Sequence, residues 1–160
     1  MSVVYIKENL DELKRIPSSF GPLNFDFDDR PVRLRDGREE ILRRWRRHIY
    51  LLVEPAKSDE SAVWYIGKSH SSISDRIKSH FGNQKDCGFP DHEWAKLQYI
   101  GGEVNDVLTR GDVEIITLSI SSEIDLDDEQ KRLLPELVEK YLLVKYALSY
   151  GKLPALNRQF

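Results

Sequence analysis

The side chains of this protein that are most suited to chemistry belong to two tyrosines, an arginine and a histidine. Tyr50 and Tyr65 each lie in a short apolar segment, and Arg76 and His80 follow in a basic segment. Residues four positions apart project from the same side of a helix, so Arg76 and His80 would lie together. Phenols and an imidazole can exchange protons, whereas a guanidinium offers parallel donors to an anion. Cleavage of a phosphodiester needs both kinds of group, because a proton must move while negative charge develops on the phosphate.

The two tyrosine segments have the pattern of a β-hairpin. Residues 48–54 and 63–68 are rich in aromatic, aliphatic and β-branched residues, and a polar turn separates them. If the turn is symmetric, Tyr50 faces Gly67 and lies on the same face of the sheet as Tyr65. An aromatic pair of this kind can also do no more than stabilise a sheet. The chemical interpretation therefore depends on the presence of Arg76 and His80 as well.

Hydrophobic periodicity and turn residues predict the remaining elements. Before the hairpin they are a helix over 6–16, an irregular connection over 17–37 and a helix over 38–47. After it come a helix over 72–81, helices around 91–97 and 103–110, a strand over 112–120, and a last helix of about 16 to 20 residues that ends at Gly151. The helix over 72–81 begins at Ser72, with Asp75 as its capping partner. These elements predict an α+β fold with a small, mainly antiparallel, three-stranded central sheet flanked by helices. Residues 1–47 would form an N-terminal helical extension that contacts DNA, and residues 48–160 the catalytic domain.

Composition places the chain among ordinary globular proteins. Of its 160 residues, 40% are hydrophobic and 32% are charged, which fits a single domain with a buried core. No apolar run approaches the ~20 residues that a membrane span requires. The start of the chain lacks the pattern of a signal peptide, and its single cysteine, Cys87, cannot form an internal disulfide. We therefore expect a cytoplasmic protein without a membrane partner.

The net charge of −3 argues weakly against a nucleic-acid partner, but the charges are strongly segregated. A group of arginines lies in the predicted helix over 38–47 and could contact the DNA backbone: Arg43, Arg44, Arg46 and Arg47. Binding of DNA depends on such local basic surface more than on the total charge. A solubilising helix face is the alternative, and the sequence does not decide between the two.

A distant glutamate, Glu139, could supply a metal ligand. At helical spacing its neighbours include Leu142 and Leu143, so the carboxylate borders the apolar face of the last helix. Glu136, in contrast, precedes Lys140 by four residues, as in an exposed ion pair. A carboxylate beside buried leucines needs a partner, and either a hydrated cation or a backbone group at the rim would provide one.

Because these residues follow one another in this order, the chain resembles the GIY-YIG nucleases over residues 48–157. The tyrosine segments of that family correspond to His48-Ile49-Tyr50 and Tyr65-Ile66-Gly67, and its helix arginine corresponds to Arg76. His80 lies where many members have a histidine. The late carboxylate corresponds to Glu139, ahead of a Pro-x-x-Asn ending at Pro154 and Asn157. His48 replaces the first glycine of the family, which puts the fine geometry in doubt more than the chemistry.

The resemblance implies an Mg²⁺-dependent DNA endonuclease, of the restriction type because no separate DNA-reading domain is evident. Glu139 would be the ligand of a single Mg²⁺, with Mn²⁺ as a substitute. Tyr50 would be the general base, with Lys68 or the metal's water shell lowering its proton affinity, and Tyr65 would bind the phosphate or the water. Arg76 would stabilise developing charge, and His80 would orient Tyr50 or contact the phosphate. Asn157 would hold the site together beside the DNA.

Two rival interpretations remain open. The same scaffold could be a non-catalytic nucleic-acid-binding module, or the motifs could match by chance in an α/β interaction protein. Cutting both strands with one small site would also favour a homodimer. A zinc site at Cys87 and His92 is not expected, because too few ligands surround them. The acidic residues of the first connection, Asp26, Asp28 and Asp29, are expected to be solvated turn residues.

Overall fold

The computed structural model describes residues 2–36, 48–69, 72–82, 88–97 and 100–158, without the side chains of Asp29 and Ser58. The described elements are α1 (Val3–Lys14), β1 (Leu23–Arg33), β2 (Ile49–Val53), a 3₁₀ turn (Ser58–Glu60), β3 (Val63–Lys68), α2 (Ile73–Phe81), α3 (Gly102–Arg110), β4 (Glu114–Ser122) and α4 (Asp128–Tyr150). The strands form one antiparallel sheet in the order β1-β4-β2-β3. The expected α+β class and antiparallel sheet are confirmed. The predicted helix over 38–47 and its arginines lie outside the described residues.

The sheet separates two hydrophobic clusters, because successive side chains of a strand point to opposite faces. On β2, Ile49, Leu51 and Val53 join the cluster that α1 and α4 cover. Tyr50 and Leu52 join the cluster on the other face, which α2 and α3 cover. The fold therefore has three layers, and Tyr50 points towards α2.

The predicted three-stranded sheet is wrong: the part of the chain that the structure describes contains four paired strands, because residues 17–37 are not simply an irregular connection. Residues Leu23–Arg33 form β1, which pairs with β4 at one edge of the sheet. Leu23, Phe25 and Phe27 alternate with polar residues and pack on the core. The strand accommodates Pro31 because it lies at an edge and its register shifts between Asp28 and Val32. Thus Asp28 lies in a strand and is buried, not in a solvated turn.

Two helix predictions also need correction. Residues 91–97 form turns, with Trp94 and its neighbours fixed by hydrogen bonds to distant backbone groups, so no helix is present there. The last helix has 23 residues and begins earlier than expected, because Asp127 and Gln130 form a reciprocal capping box. It ends at Gly151 as predicted.

The N-terminal elements pack on the same core as the rest of the chain. Val3, Ile6 and Leu10 of α1 are buried in the cluster that α4 also covers, and Ser2 forms an isolated bridge with Ala62. Among the described residues, none of the helices is both long and apolar enough to span a bilayer.

Candidate active site

The hairpin register brings the two phenols together as predicted. Tyr50 pairs with Gly67, Leu52 pairs with Tyr65, and the centroids of the two tyrosine rings are 5.7 Å apart. A Cβ atom at Gly67 would lie 2.4 Å from Cζ of Tyr50 and 2.6 Å from Cε1 of Tyr65. The space that a side chain would fill at position 67 is therefore occupied by the phenol pair, and only glycine fits there.

Helix α2 contributes Arg76 and His80 to this pair. The helix begins at Ser72, whose side chain accepts a hydrogen bond from the Ser74 amide rather than forming the predicted box with Asp75. Its buried residues, Ile73 and Ile77 among them, hold it on the face of the sheet that carries Tyr50. Docking of this apolar side fixes the direction in which the polar side of the helix points.

His80 lies at the centre of a hydrogen-bonded chain. Its Nε2 atom is 2.7 Å from the Tyr50 hydroxyl, and its Nδ1 atom bonds the Glu93 carboxylate. The ring stacks on Trp94 with 4.6 Å between centroids and is only 4% exposed. Burial lowers the pKa of His80, and the Glu93 carboxylate opposes this shift without reversing it. The imidazole is therefore neutral near pH 7 and offers one donor and one acceptor.

Sequence reasoning missed Glu93. It lies in a segment of turns, and its spacing from His80 matches no helical or strand period. Its backbone N–H donates to the His80 carbonyl, so the segment is tied to the end of α2 by main-chain as well as side-chain bonds. Only this tertiary contact reveals the pairing, and no local signal could have done so.

The electrostatics of the phenols differ from expectation. Burial raises the pKa of Tyr50 far above its ordinary range, the neighbouring Tyr65 raises it further, and the charge of Arg76 only partly offsets these effects. Burial also raises the pKa of Tyr65, although the interaction with the Tyr50 hydroxyl and the charge of Arg76 oppose this shift. Without a bound cation the pKa of Tyr50 is thus raised and a standing phenolate at that position is unfavourable, while a lowering of its proton affinity by Lys68 or the metal's water shell stays a prediction.

The two phenols also differ in access. Tyr50 is completely buried, whereas Tyr65 is partly exposed and Arg76 is exposed. Burial lowers the pKa of the Arg76 guanidinium, but its interactions with the Tyr50 and Tyr65 phenols outweigh this effect, so the pKa is raised. The surface of the site is thus formed by Tyr65 and Arg76, and Tyr50 lies behind them.

Helix α4 brings a carboxylate to the same place from the opposite face of the sheet. Burial raises the pKa of Glu139, while the nearby charges of Lys68, Lys140 and Arg76 oppose this shift. Glu139 also influences the pKa of Tyr65, so the carboxylate lies within electrostatic range of the phenol pair. This proximity agrees with the expected convergence of these side chains, and their meeting around one phosphate stays a prediction.

Lys68 forms an ion pair with a carboxylate of α4. Its Nζ atom is 3.1 Å from Oε1 of Glu136, which bridges the end of β3 to α4. Glu136 therefore lies at the border of the site. Its role is not limited to an exposed ion pair with Lys140 along the helix. Its neighbour Glu139, one turn further along, is the carboxylate whose environment is dominated by burial.

The donor set fits a sparsely ligated Mg²⁺. The described residues contain no group of three or more His, Cys, Asp or Glu side chains arranged to hold a metal. Mg²⁺, however, is commonly held by one or two carboxylates and completes its octahedron with water and substrate phosphate. Glu139, half-buried beside a second carboxylate at Glu136, suits such a site and does not suit a cage made of protein ligands alone.

Asn157 stabilises the site from outside the sheet. Its amide oxygen accepts a hydrogen bond from the Ile66 N–H at 3.0 Å, and its amide nitrogen donates to the Ile66 carbonyl at 2.9 Å. Leu156 adds a backbone bond to Trp64. The C-terminal segment thus covers the outer edge of β3, in agreement with a holding role, while contact of Asn157 with DNA stays a prediction.

Two further histidines among the described residues, His48 and His92, have structural contacts. Nδ1 of His48 accepts a hydrogen bond from the Ile120 amide, so the residue that replaces the family glycine connects β2 to the end of β4. His92 is buried and bonds Asn105 through Nε2. Cys87 lies outside the described residues.

The chain has no significant match among protein-family models, curated proteins or solved structures.

Proposed function

We propose that this protein is an Mg²⁺-dependent endonuclease that hydrolyses phosphodiester bonds of DNA through a single-metal site of the GIY-YIG type. The observation that carries the proposal is the meeting of five side chains at the edge of β3. A pair of phenols, a guanidinium and an imidazole come from one side of the sheet and a carboxylate from the other: Tyr50, Tyr65, Arg76, His80 and Glu139.

Arg76 would bind the scissile phosphate. It is exposed, it lies within electrostatic range of both phenols, and its planar fork matches two phosphate oxygens. Charge that builds on these oxygens in the transition state would meet a donor already in position. Lys68, a quarter exposed beside Glu136, adds positive charge at the same edge.

Tyr65 is better placed than Tyr50 to meet the attacking water, because Tyr65 is the phenol with exposed surface. Tyr50 would then relay the proton and would not accept it directly from water. This assignment exchanges the roles that the resemblance implies for the two tyrosines, and it keeps both essential. Neither phenol needs to be ionised in the resting state, which agrees with the raised pKa of each.

Glu139 would hold the cation, with Glu136 close enough to bind one of its waters. A bound Mg²⁺ supplies positive charge to the phosphate and the leaving oxygen. The chain's contribution is to present a half-buried carboxylate whose desolvation favours a cationic partner. A homodimer that cuts both strands remains part of the proposal.

The test is a nicking assay on supercoiled plasmid with Mg²⁺, Mn²⁺ or chelator. Glu139→Gln and Arg76→Ala should abolish metal-dependent cleavage and leave urea unfolding unchanged. Matched controls are Glu123→Gln and Arg132→Ala, which alter exposed residues away from the phenol pair. Equal cleavage by wild type and both site variants would refute the assignment. DNA binding without metal-dependent cleavage by wild type would favour the non-catalytic binding module.

The arginines at positions 43, 44, 46 and 47 are proposed to grip the DNA backbone. Neutralising them should lower the slope of log binding constant against log salt by roughly one unit for each phosphate that the variant no longer neutralises. Filter binding of the wild type and the neutralised variant at several salt concentrations measures this slope. An unchanged slope would assign these arginines to a solubilising surface.

A further inference from the structure

We propose that Glu93 is a positioning residue that sets the direction of a proton-transfer chain running from Tyr65 through Tyr50 to His80. The inference rests on the proposed function, because it specifies where the proton of the attacking water goes. It adds to that function a residue and a direction of transfer that the motifs do not contain.

The chain of contacts is continuous. The Tyr50 and Tyr65 rings lie 5.7 Å apart between centroids, and each phenol influences the pKa of the other. The Tyr50 hydroxyl lies 2.7 Å from Nε2 of His80, and Nδ1 of His80 bonds Glu93. Its outer end is the partly exposed Tyr65, and its inner end is a histidine that is 4% exposed. The chain therefore connects the surface where substrate would lie with a buried acceptor.

Glu93 fixes the direction because each hydroxyl has only one proton to donate. An ionised carboxylate can only accept, so the neutral imidazole must carry its proton on Nδ1 and present an unprotonated Nε2. Tyr50 must then donate to Nε2, which leaves the Tyr50 oxygen to accept from Tyr65. The Tyr65 oxygen in turn accepts from the water. Without the carboxylate, His80 could carry its proton on Nε2 and reverse every bond of the chain.

The main chain supports this orientation independently of the side chain. The Glu93 amide donates to the His80 carbonyl at 2.9 Å, and Arg158 donates to the Glu93 carbonyl at 3.0 Å. The adjacent Trp94 stacks on the imidazole and donates its indole N–H to the Leu156 carbonyl. The imidazole is thus held in its plane by stacking, and the carboxylate selects which nitrogen is protonated.

The step balances as a concerted transfer of three protons. The water's O–H bond breaks as its oxygen bonds to phosphorus, and its proton passes to the Tyr65 oxygen. The bond from phosphorus to the leaving oxygen breaks in the same displacement, and that oxygen takes up a proton from solvent. The Tyr65 proton passes to Tyr50, and the Tyr50 proton to Nε2 of His80, which becomes an imidazolium beside the Glu93 carboxylate. Both phenols are neutral before and after the step. His80 later returns one proton to solvent.

The resting protonation states agree with this scheme. Burial raises the pKa of both phenols and lowers the pKa of His80, so neutral hydroxyls face a neutral imidazole near pH 7. The charged and titratable groups facing His80 are Tyr50, Tyr65, Arg76, Glu93 and Arg158. Of these, Glu93 is the group that stabilises the imidazolium formed at the end of the step.

The first measurement is the protonation of the His80 ring by ¹⁵N NMR at neutral pH, with its signals assigned by their loss in His80→Gln. The wild type should carry its proton on Nδ1, and Glu93→Gln should shift the proton towards Nε2. A wild-type ring protonated on Nε2 would overturn the inference. So would identical ring signals in wild type and Glu93→Gln. This measurement needs no nuclease activity, so it tests the direction of the chain even if the proposed function fails.

The second measurement is the rate of plasmid nicking as a function of DNA concentration and pH. Glu93→Gln should lower kcat by about 10²-fold or more, as expected for a histidine in the wrong tautomer, and should leave KM nearly unchanged. Glu123→Gln is the matched control and should behave as wild type. A raised KM with unchanged kcat would make Glu93 a structural residue and overturn the proposal. Absence of cleavage by the wild type would refute the proposed function and leave the NMR result to decide the chain.

Discussion

Replacing Gly67 with alanine tests whether the position of the phenol pair depends on the absence of a side chain at this residue. The added methyl group would lie 2.4 Å from Cζ and 2.6 Å from the hydroxyl oxygen of Tyr50, and 2.6 Å from Cε1 of Tyr65. Non-bonded carbon atoms rest at about 3.5 Å or more, so the phenols must move by roughly 1 Å. They cannot do so freely, since Tyr50 is fully buried and bonded to His80.

Two effects of Gly67→Ala follow from this displacement. Overpacking of a close-packed core typically costs about 1–3 kcal/mol, and we expect a loss of that size in the free energy of unfolding. A displacement of about 1 Å at a reacting group can reduce the rate by roughly 10²-fold, so nicking should fall by a similar factor. Urea unfolding and plasmid nicking measure the two effects separately.

Gly102→Ala is the matched control for Gly67→Ala. Gly102 lies in the first turn of α3, and a Cβ atom there would meet no other atom within 4 Å. It should leave nicking unchanged and alter stability by no more than about 1 kcal/mol, in the stabilising direction. If Gly67→Ala matched Gly102→Ala in stability and rate, the close approach of the phenols to position 67 would be refuted.

Three further predictions concern individual side chains. Tyr50→Phe should reduce kcat by ~10²–10⁴-fold, whereas a loss below tenfold in the nicking assay would make Tyr50 a structural residue. Asn157→Ala should lower the urea unfolding free energy by about 1–3 kcal/mol, because both Ile66 backbone groups lose their partner. The lowered pKa of His80 means that the unfolded chain binds its proton first, so stability should fall as pH drops below about 6.5. His80→Gln should flatten that pH dependence, leaving the contribution of His92, and an unchanged slope would contradict burial of a neutral His80.

The parts of the fold that the sequence predicts are those set by local pattern. The hairpin register follows from two runs of strand-forming residues and one polar turn, so these residues alone are enough to predict the contact between Tyr50 and Tyr65. The limits of α2 and the end of α4 follow from capping and glycine signals in the same way. Helical spacing alone also indicates that Glu139 borders an apolar face.

The parts that escaped prediction are those set by tertiary contacts. β1 has the alternation of a strand, but its aspartates and Pro31 are tolerated only because it is a bulged edge strand. Glu93 bonds His80 across thirteen residues, through turns whose shape depends on Trp94 and the C-terminal segment. The burial of Tyr50, on which the proposed exchange of roles between the two phenols rests, depends on packing between layers that no periodicity reveals.

The location of the site at β3 follows from the three-layer architecture. Arg76 belongs to a helix on one face of the sheet and Glu139 to a helix on the other, and the sheet itself lies between them. Their side chains can approach only around an edge strand, which is where both act on Tyr65. An edge that carries a site must also be kept from pairing with another strand. Asn157 does this by occupying both backbone groups of Ile66, so the residue that closes the fold also keeps the edge of β3 available to the site.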